Sequence, residues 1–285
     1  MAVEQVTPPV ADHGEGPVWC ADEGRLRWVD MLAGDVLALD PGSGEIERTH
    51  VAEVAAALRP RIGGGFVVAV ERGFALWEPG EPRPRLLPEV WADPSVRMNE
   101  GGCDPRGRFY CGSMAYDAAP GRGALHRLDP DGTVTTVLEG VTISNGLAWT
   151  PDGRRAYYVD TPTRRVDVFG VDPGTGDLVG REPVVEVPAG SGSPDGLCLD
   201  AEGGIWVALW DGAAVHRYTA EGVLDEVVEL PVPRPTACAF GGPGLRDLYV
   251  TTSGLDLDPA RHPEAGAVFR LRPGVRGTPV LPFGG

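Results

Sequence analysis

Three side chains far apart in the chain share one chemistry. Glu15, Asn145 and Asp195 offer a ligand two carboxylates and one amide carbonyl. Hard divalent cations such as Ca²⁺, Mg²⁺ and Mn²⁺ prefer oxygen donors of this kind. Two carboxylates balance the charge of such an ion. Three protein ligands leave positions for water or substrate, and an ion so held can polarise a carbonyl or acidify a bound water. Arg97 and Asn99 form a second group. Two residues apart, they fall on one face of an extended strand, and a guanidinium beside an amide suits the hydroxyl or carbonyl oxygens of a polar ligand. His13, two residues before Glu15, is within reach of the same place, although a lone His is more often structural. Taken singly, Asn145 and Asp195 precede glycine and read as turn formers, and Arg97 reads as a surface ion-pair residue. Glu15 is a poor turn residue.

The elements around these residues repeat. Short aromatic or β-branched runs occur at Leu26–Val29, Phe66–Ala69, Phe109–Cys111, Ala156–Val159, Ile205–Ala208 and Leu248–Val250. Each follows a glycine-containing turn and reads as a strand entered through it. Their spacing is roughly 40 to 48 residues, which suits propeller blades, each a four-stranded sheet. A β-helix needs shorter repeats, and a sandwich shows no such period. The expected fold is all-β: a single six-bladed β-propeller domain over residues 1–285, with a central metal site. About a dozen residues before each run lies a common structural phase. Four blades place Glu15, Asn99-Glu100, Asn145 and Asp195 there; the other two place Ala55–Ala57 and Thr236–Cys238. The strand carrying this phase is the innermost, and its start lies at one mouth of the central channel, so four blades bring oxygen-bearing side chains to the axis. Glu100 is expected to point away from the Arg97–Asn99 face. The best helical candidate, Val51–Leu58, is two turns at most.

Composition narrows the partners. The net charge is −16, which repels phosphate backbones and excludes nucleic acid while favouring a cation. No apolar run approaches a membrane span, and the N-terminus lacks a signal-peptide pattern, so no membrane partner is expected. The five cysteines are scattered with no CxxC pair and read as reduced thiols, which points to a cytoplasmic protein. The five histidines are dispersed, against a clustered zinc site. His126 and His216 read as strand packing.

With "GEGPVW" (14–19), "RMNEGGCDPRGRFYCGSM" (97–114), "SNGLAWTPDGRRAYYVD" (144–160), "SPDGLCLDAEGGIWVALWDG" (193–212), "TACAFGG" (236–242) and "EAGAVFRL" (264–271), the chain resembles the senescence marker protein (regucalcin), gluconolactonase and luciferin-regenerating enzyme family. The resemblance runs over nearly the whole chain. It implies a six-bladed propeller with one divalent metal, Ca²⁺ first and Mg²⁺, Mn²⁺ or Zn²⁺ as alternatives, ligated by Glu15, Asn145 and Asp195. It implies that Asp195 is also the general base, that Arg97 and Asn99 contact substrate, and that the activity is hydrolysis of sugar lactones. A monomer or weak homo-oligomer is expected. Two departures stand out. A substrate-contacting Glu expected shortly before Gly123 is missing, with Ala119 nearest its place, and Glu100 stands where an Asp is usual. The rival readings are a metal-binding regulator with little turnover and a protein-binding scaffold. The scaffold does not need four polar residues at the channel phase.

Overall fold

A computed structural model describes residues 2–285, and these form six four-stranded antiparallel sheets. Strand β1 (Glu4–Gln5) opens the chain. The first blade follows as β2 (Gly14–Cys20), β3 (Arg25–Asp30), β4 (Asp35–Leu39) and β5 (Ile46–His50). The second is β6 (Ala55–Pro60), β7 (Phe66–Val70), β8 (Gly73–Trp77) and β9 (Arg85–Leu86). The third is β10 (Val96–Cys103), β11 (Phe109–Ala115), β12 (Gly123–Leu128) and β13 (Val134–Val141). The fourth is β14 (Ser144–Trp149), β15 (Arg155–Asp160), β16 (Arg165–Val171) and β17 (Leu178–Glu186). The fifth is β18 (Ser193–Leu199), β19 (Ile205–Trp210), β20 (Ala214–Tyr218) and β21 (Leu224–Glu229). The sixth is built from β22 (Pro235–Gly241), β23 (Asp247–Thr252), β24 (Phe269–Leu271) and β1, in that order across the sheet. The ring is a six-bladed propeller, closed where Glu4 and Gln5 pair with Arg270 and Phe269.

All six aromatic runs are second strands of their blades. They carry apolar residues on both faces because each packs against a neighbouring blade on either side. In the fifth blade β19 is almost wholly buried, whereas β21 is mostly exposed. The core therefore lies between sheets. Trp206, Val215, Phe240, Leu248 and Phe269 fill the space between the fifth and sixth blades, and Tyr157, Val166, Leu197 and Ile205 that between the fourth and fifth. A side chain of this kind contributes about 1.5–3 kcal/mol when fully buried.

One expectation is corrected. Val51–Leu58 is not helical: Ala55–Pro60 is the inner strand of the second blade. Alanine favours helix in isolation, but pairing with β7 and burial on both faces override that preference. Small side chains also suit a strand close to the axis, where Ala56 and Ala57 are fully buried.

The C-terminal segment crosses the end of the channel away from the inner-strand starts. The Thr278 amide donates to the Leu199 carbonyl at 3.3 Å, Phe283 to Pro60 at 2.8 Å and Gly284 to Gly107 at 2.8 Å. Phe283 is buried there. Among the described residues no helix is long and apolar enough to cross a membrane.

Candidate functional site

The inner strand of every blade breaks register with its neighbour at the same phase. The shifts fall between Glu15 and Val18, Ala55 and Ala57, Met98 and Gly101, Ser144 and Leu147, Pro194 and Leu197, and Pro235 and Ala237. A bulge re-aims the side chain it carries. Here it turns Glu15, Asn99, Asn145 and Asp195 toward the axis. The Asn-Gly and Asp-Gly pairs are thus bulges inside strands, and their glycines have a packing reason. A Cβ on Gly146 would lie 2.7 Å from the Asp195 carbonyl oxygen, and one on Gly196 would lie 2.4 Å from the Ala237 Cβ. Without these glycines the neighbouring inner strands could not approach so closely.

The chain leading into two of these strands is held from the second strand. Asp30 Oδ1 accepts the His13 amide at 3.1 Å just before Glu15, and Asp160 Oδ1 accepts the Ile143 amide at 3.0 Å just before Asn145. Side-chain orientation is set by a run of hydrogen bonds across three blades. Arg97 Nη1 donates to Asn99 Oδ1 at 2.7 Å. Asn99 Nδ2 donates to Asn145 Oδ1 at 3.0 Å and to the Ser144 carbonyl at 3.0 Å. Asn145 Nδ2 donates to Thr161 Oγ1 at 2.9 Å, and the Thr161 hydroxyl donates to the Pro194 carbonyl at 2.9 Å. Because Thr161 takes the amide nitrogen, Asn145 is left to present its oxygen.

Charge at this mouth is out of balance. Glu15, Asp195 and Arg97 are all buried. Burial pushes the Glu15 carboxyl up to about 7, against the opposing pull of the Gly16 amide and Arg97. It pushes Asp195 well above the usual carboxylate range, and the charges of Glu15 and Glu100 push the same way. Arg97 is itself pulled down by burial. Glu100 is buried further along the channel, and its Oε2 has no hydrogen-bond partner. At this mouth two buried carboxyl groups, Glu15 and Asp195, thus face one guanidinium, and a divalent cation would supply the missing charge. Among the described residues no three His, Cys, Asp or Glu side chains gather so as to hold a metal ion. The central position has two carboxylates, and its third donor is an amide. That oxygen-only set fits a hard cation and not a soft one.

Glu15, Arg97, Asn99, Asn145 and Asp195 line one cavity of about 270 Å³, joined by His13. His13 is kept neutral: burial lowers it to about 3, with Arg97 and Arg234 adding to the effect, and its Nδ1 lies 2.9 Å from Ser253 Oγ. Glu100 lines a separate cavity of about 110 Å³ toward the channel's other end, as alternation requires. Ala119 lies in the loop after β11, outside the cavity lining. His126 and His216 sit in β12 and β20.

Several lining residues escape a sequence reading: Leu32, Met114, Tyr116, Thr161, Trp210 and Leu255. All stand at or just after the end of a second strand. In an antiparallel pair that end lies beside the start of the inner strand. Reading each aromatic run forward to its end would have found them.

The family described as SMP-30/Gluconolactonase/LRE-like region matches residues 13–254. Pentonolactonase XacC of Haloferax volcanii is 39% identical, over 98% of this chain and 97% of that protein. Regucalcin of Danio rerio is 35% identical, over 100% of this chain and 99% of that protein. Among solved structures, a calcium-binding protein, regucalcin, from Agrobacterium tumefaciens superposes with a TM-score of 0.92 at 29% identity, covering 99% of this chain and 97% of that one. The chain belongs to the SMP-30/gluconolactonase/LRE-like family.

Proposed function

We propose that the channel mouth holds one divalent cation, Ca²⁺ first, on Glu15, Asn145 and Asp195, and that this centre hydrolyses a sugar lactone or a related small lactone. The observation that carries the reading is the pair of buried carboxylates beside an oriented amide oxygen, with one guanidinium to balance them. A divalent ion so held supplies carbonyl polarisation. Arg97 binds the substrate: its guanidinium lines the cavity and is held in place through Nη1 by Asn99, the Met98 carbonyl and the Met31 sulfur. Asn99, fixed by Arg97 and Asn145, holds that arm in place. Asp195 takes a proton from the attacking water. Burial raises its proton affinity, and ligation to a cation would lower it.

A second reading, a divalent-cation-binding regulator with little turnover, needs less and has the broader support among the relatives. Many of them are named regucalcin, and one solved structure is described as a calcium-binding protein. It shares every ligand with the hydrolase. A guanidinium held at the floor of a ligand-sized cavity, together with a relative named pentonolactonase, favours turnover. The two are separated by a panel of five- and six-membered lactones assayed with and without Ca²⁺, Mg²⁺, Mn²⁺ and Zn²⁺. Cation-dependent ring opening supports the hydrolase. Cation binding with no turnover of any lactone leaves the regulator.

A further inference from the structure

Away from its polar floor the cavity is hydrocarbon. Leu32, Met114, Ile143, Trp210 and Leu255 form the wall, with Tyr116 at the rim. Leu32 and Tyr116 are 38% and 47% exposed, large apolar side chains left uncovered around a concave site. Isolated exposed apolar residues mean little, but their convergence on one cavity marks a binding surface. The polar groups along this wall are already committed. The Thr161 hydroxyl accepts from Asn145 and donates to Pro194. The Tyr116 hydroxyl donates to Glu71 Oε1 at 2.7 Å, and Glu71 is also held by Arg72 at 3.0 Å. His13 Nδ1 is paired with Ser253, and its ring stands edge-on to Trp210 with centroids 5.8 Å apart. That leaves His13 Nε2 and the Trp210 indole N–H as the wall's side-chain nitrogens for a ligand hydroxyl, two at most.

A lactone hydroxylated at every ring carbon would turn most of its hydroxyls against this wall. Each one buried without a partner lowers affinity by roughly ten- to a hundredfold. A cavity of about 270 Å³ sits at the small end of ligand sites, so the ligand is one ring with a short arm. We propose that the preferred ligand is a lactone whose ring bears an alkyl or aryl arm, its carbonyl at the polar floor and its arm against Leu32, Ile143 and Trp210. This rests on the lactone reading of the site, and the test separates the two.

The test uses the full chain loaded with Ca²⁺. kcat/KM is measured for γ-butyrolactone, γ-hexalactone and γ-octalactone, and for ribono-1,4-lactone and glucono-δ-lactone. Binding of the matching unsubstituted and 5-alkyl γ-lactams is measured by calorimetry, which does not require turnover. Both kcat/KM and lactam affinity should rise about fourfold per added methylene, and γ-hexalactone should exceed ribono-1,4-lactone. Leu32→Ser, at a position 38% exposed, should flatten the chain-length slope in both measurements. Turnover that favours the hydroxylated lactones overturns the inference and leaves the hydrolase standing. Lactam affinity that climbs with the arm, with no lactone hydrolysed, supports the inference and removes the hydrolase. A flat lactam series overturns the inference whatever the kinetics show.

Discussion

At the scale of residues, the site is a problem of buried charge. Glu15 has its carboxyl at about 7 instead of 4.5, because burial disfavours the charged form. The sign of its effect follows. Between pH 4.5 and 7 the unfolded chain has lost this proton and the folded, cation-free chain keeps it, so this group's contribution to stability falls as pH rises. A cation must displace that proton below pH 7. Ca²⁺ affinity should therefore drop by up to about tenfold per unit as pH falls from 7 toward 4.5, and the gain in Tm on adding Ca²⁺ should shrink with it. Glu15→Gln should remove the part of that pH dependence that Glu15 carries, while the raised carboxyl of Asp195 keeps its own; a wild-type affinity that is flat across this range would place no proton in competition with the ion. The ligand types were legible in the sequence, but what aims them was not. Thr161 binds the Asn145 nitrogen, so Thr161→Val should weaken Ca²⁺ binding about ten- to a hundredfold, as loss of a ligand's supporting hydrogen bond does. Asn145→Ala should recover much of its activity in excess Ca²⁺. Asp195→Ala should not, because a general base is worth roughly 10²- to 10⁴-fold. Equal kcat for the two variants at saturating Ca²⁺ would remove Asp195 as the base.

At the scale of elements, the bulge is the device that matters. The period of the repeat was legible because second strands are buried on both faces and so collect Trp, Tyr and Val. The inner strands are less so. Val51–Leu58 reads as helix by composition, and Asn145-Gly146 reads as a turn, because local preference carries no record of the neighbouring blade. Gly196 makes that neighbour's demand plain, since any Cβ there meets Ala237. Gly196→Ala should cost about 1–3 kcal/mol, the usual range for overpacking. It should also weaken Ca²⁺ binding by shifting Asp195. Gly63→Ala is the control: nothing lies within 4 Å of its Cβ position and its φ is not left-handed. It should stay within about 0.5 kcal/mol of wild type. Denaturant midpoints with an unchanged m-value measure both. Equal loss in the two would mean that glycine at 196 serves backbone freedom and not close approach.

At the scale of the whole molecule, the ring brings together what the chain keeps far apart. Glu15 comes from the first blade, Arg97 and Asn99 from the third, Asn145 from the fourth and Asp195 from the fifth. No shorter piece of the fold contains the site, so on the proposed reading cation binding and closure of the ring would be linked, and an ion that binds only the closed form would stabilise all of it. The net charge of −16 favours a cation at any surface carboxylate, so the decisive binding is the one that the buried pair alone can provide. The most direct test is to titrate chelated protein, verified free of metal, with Ca²⁺ while following binding heat and lactone ring opening together. The account predicts one ion per chain at the tight site, activity that returns in step with its occupancy, and loss of both in a folded Glu15→Gln/Asp195→Asn double variant. Full ring opening by the metal-free protein, or tight binding that survives in the double variant, would contradict it.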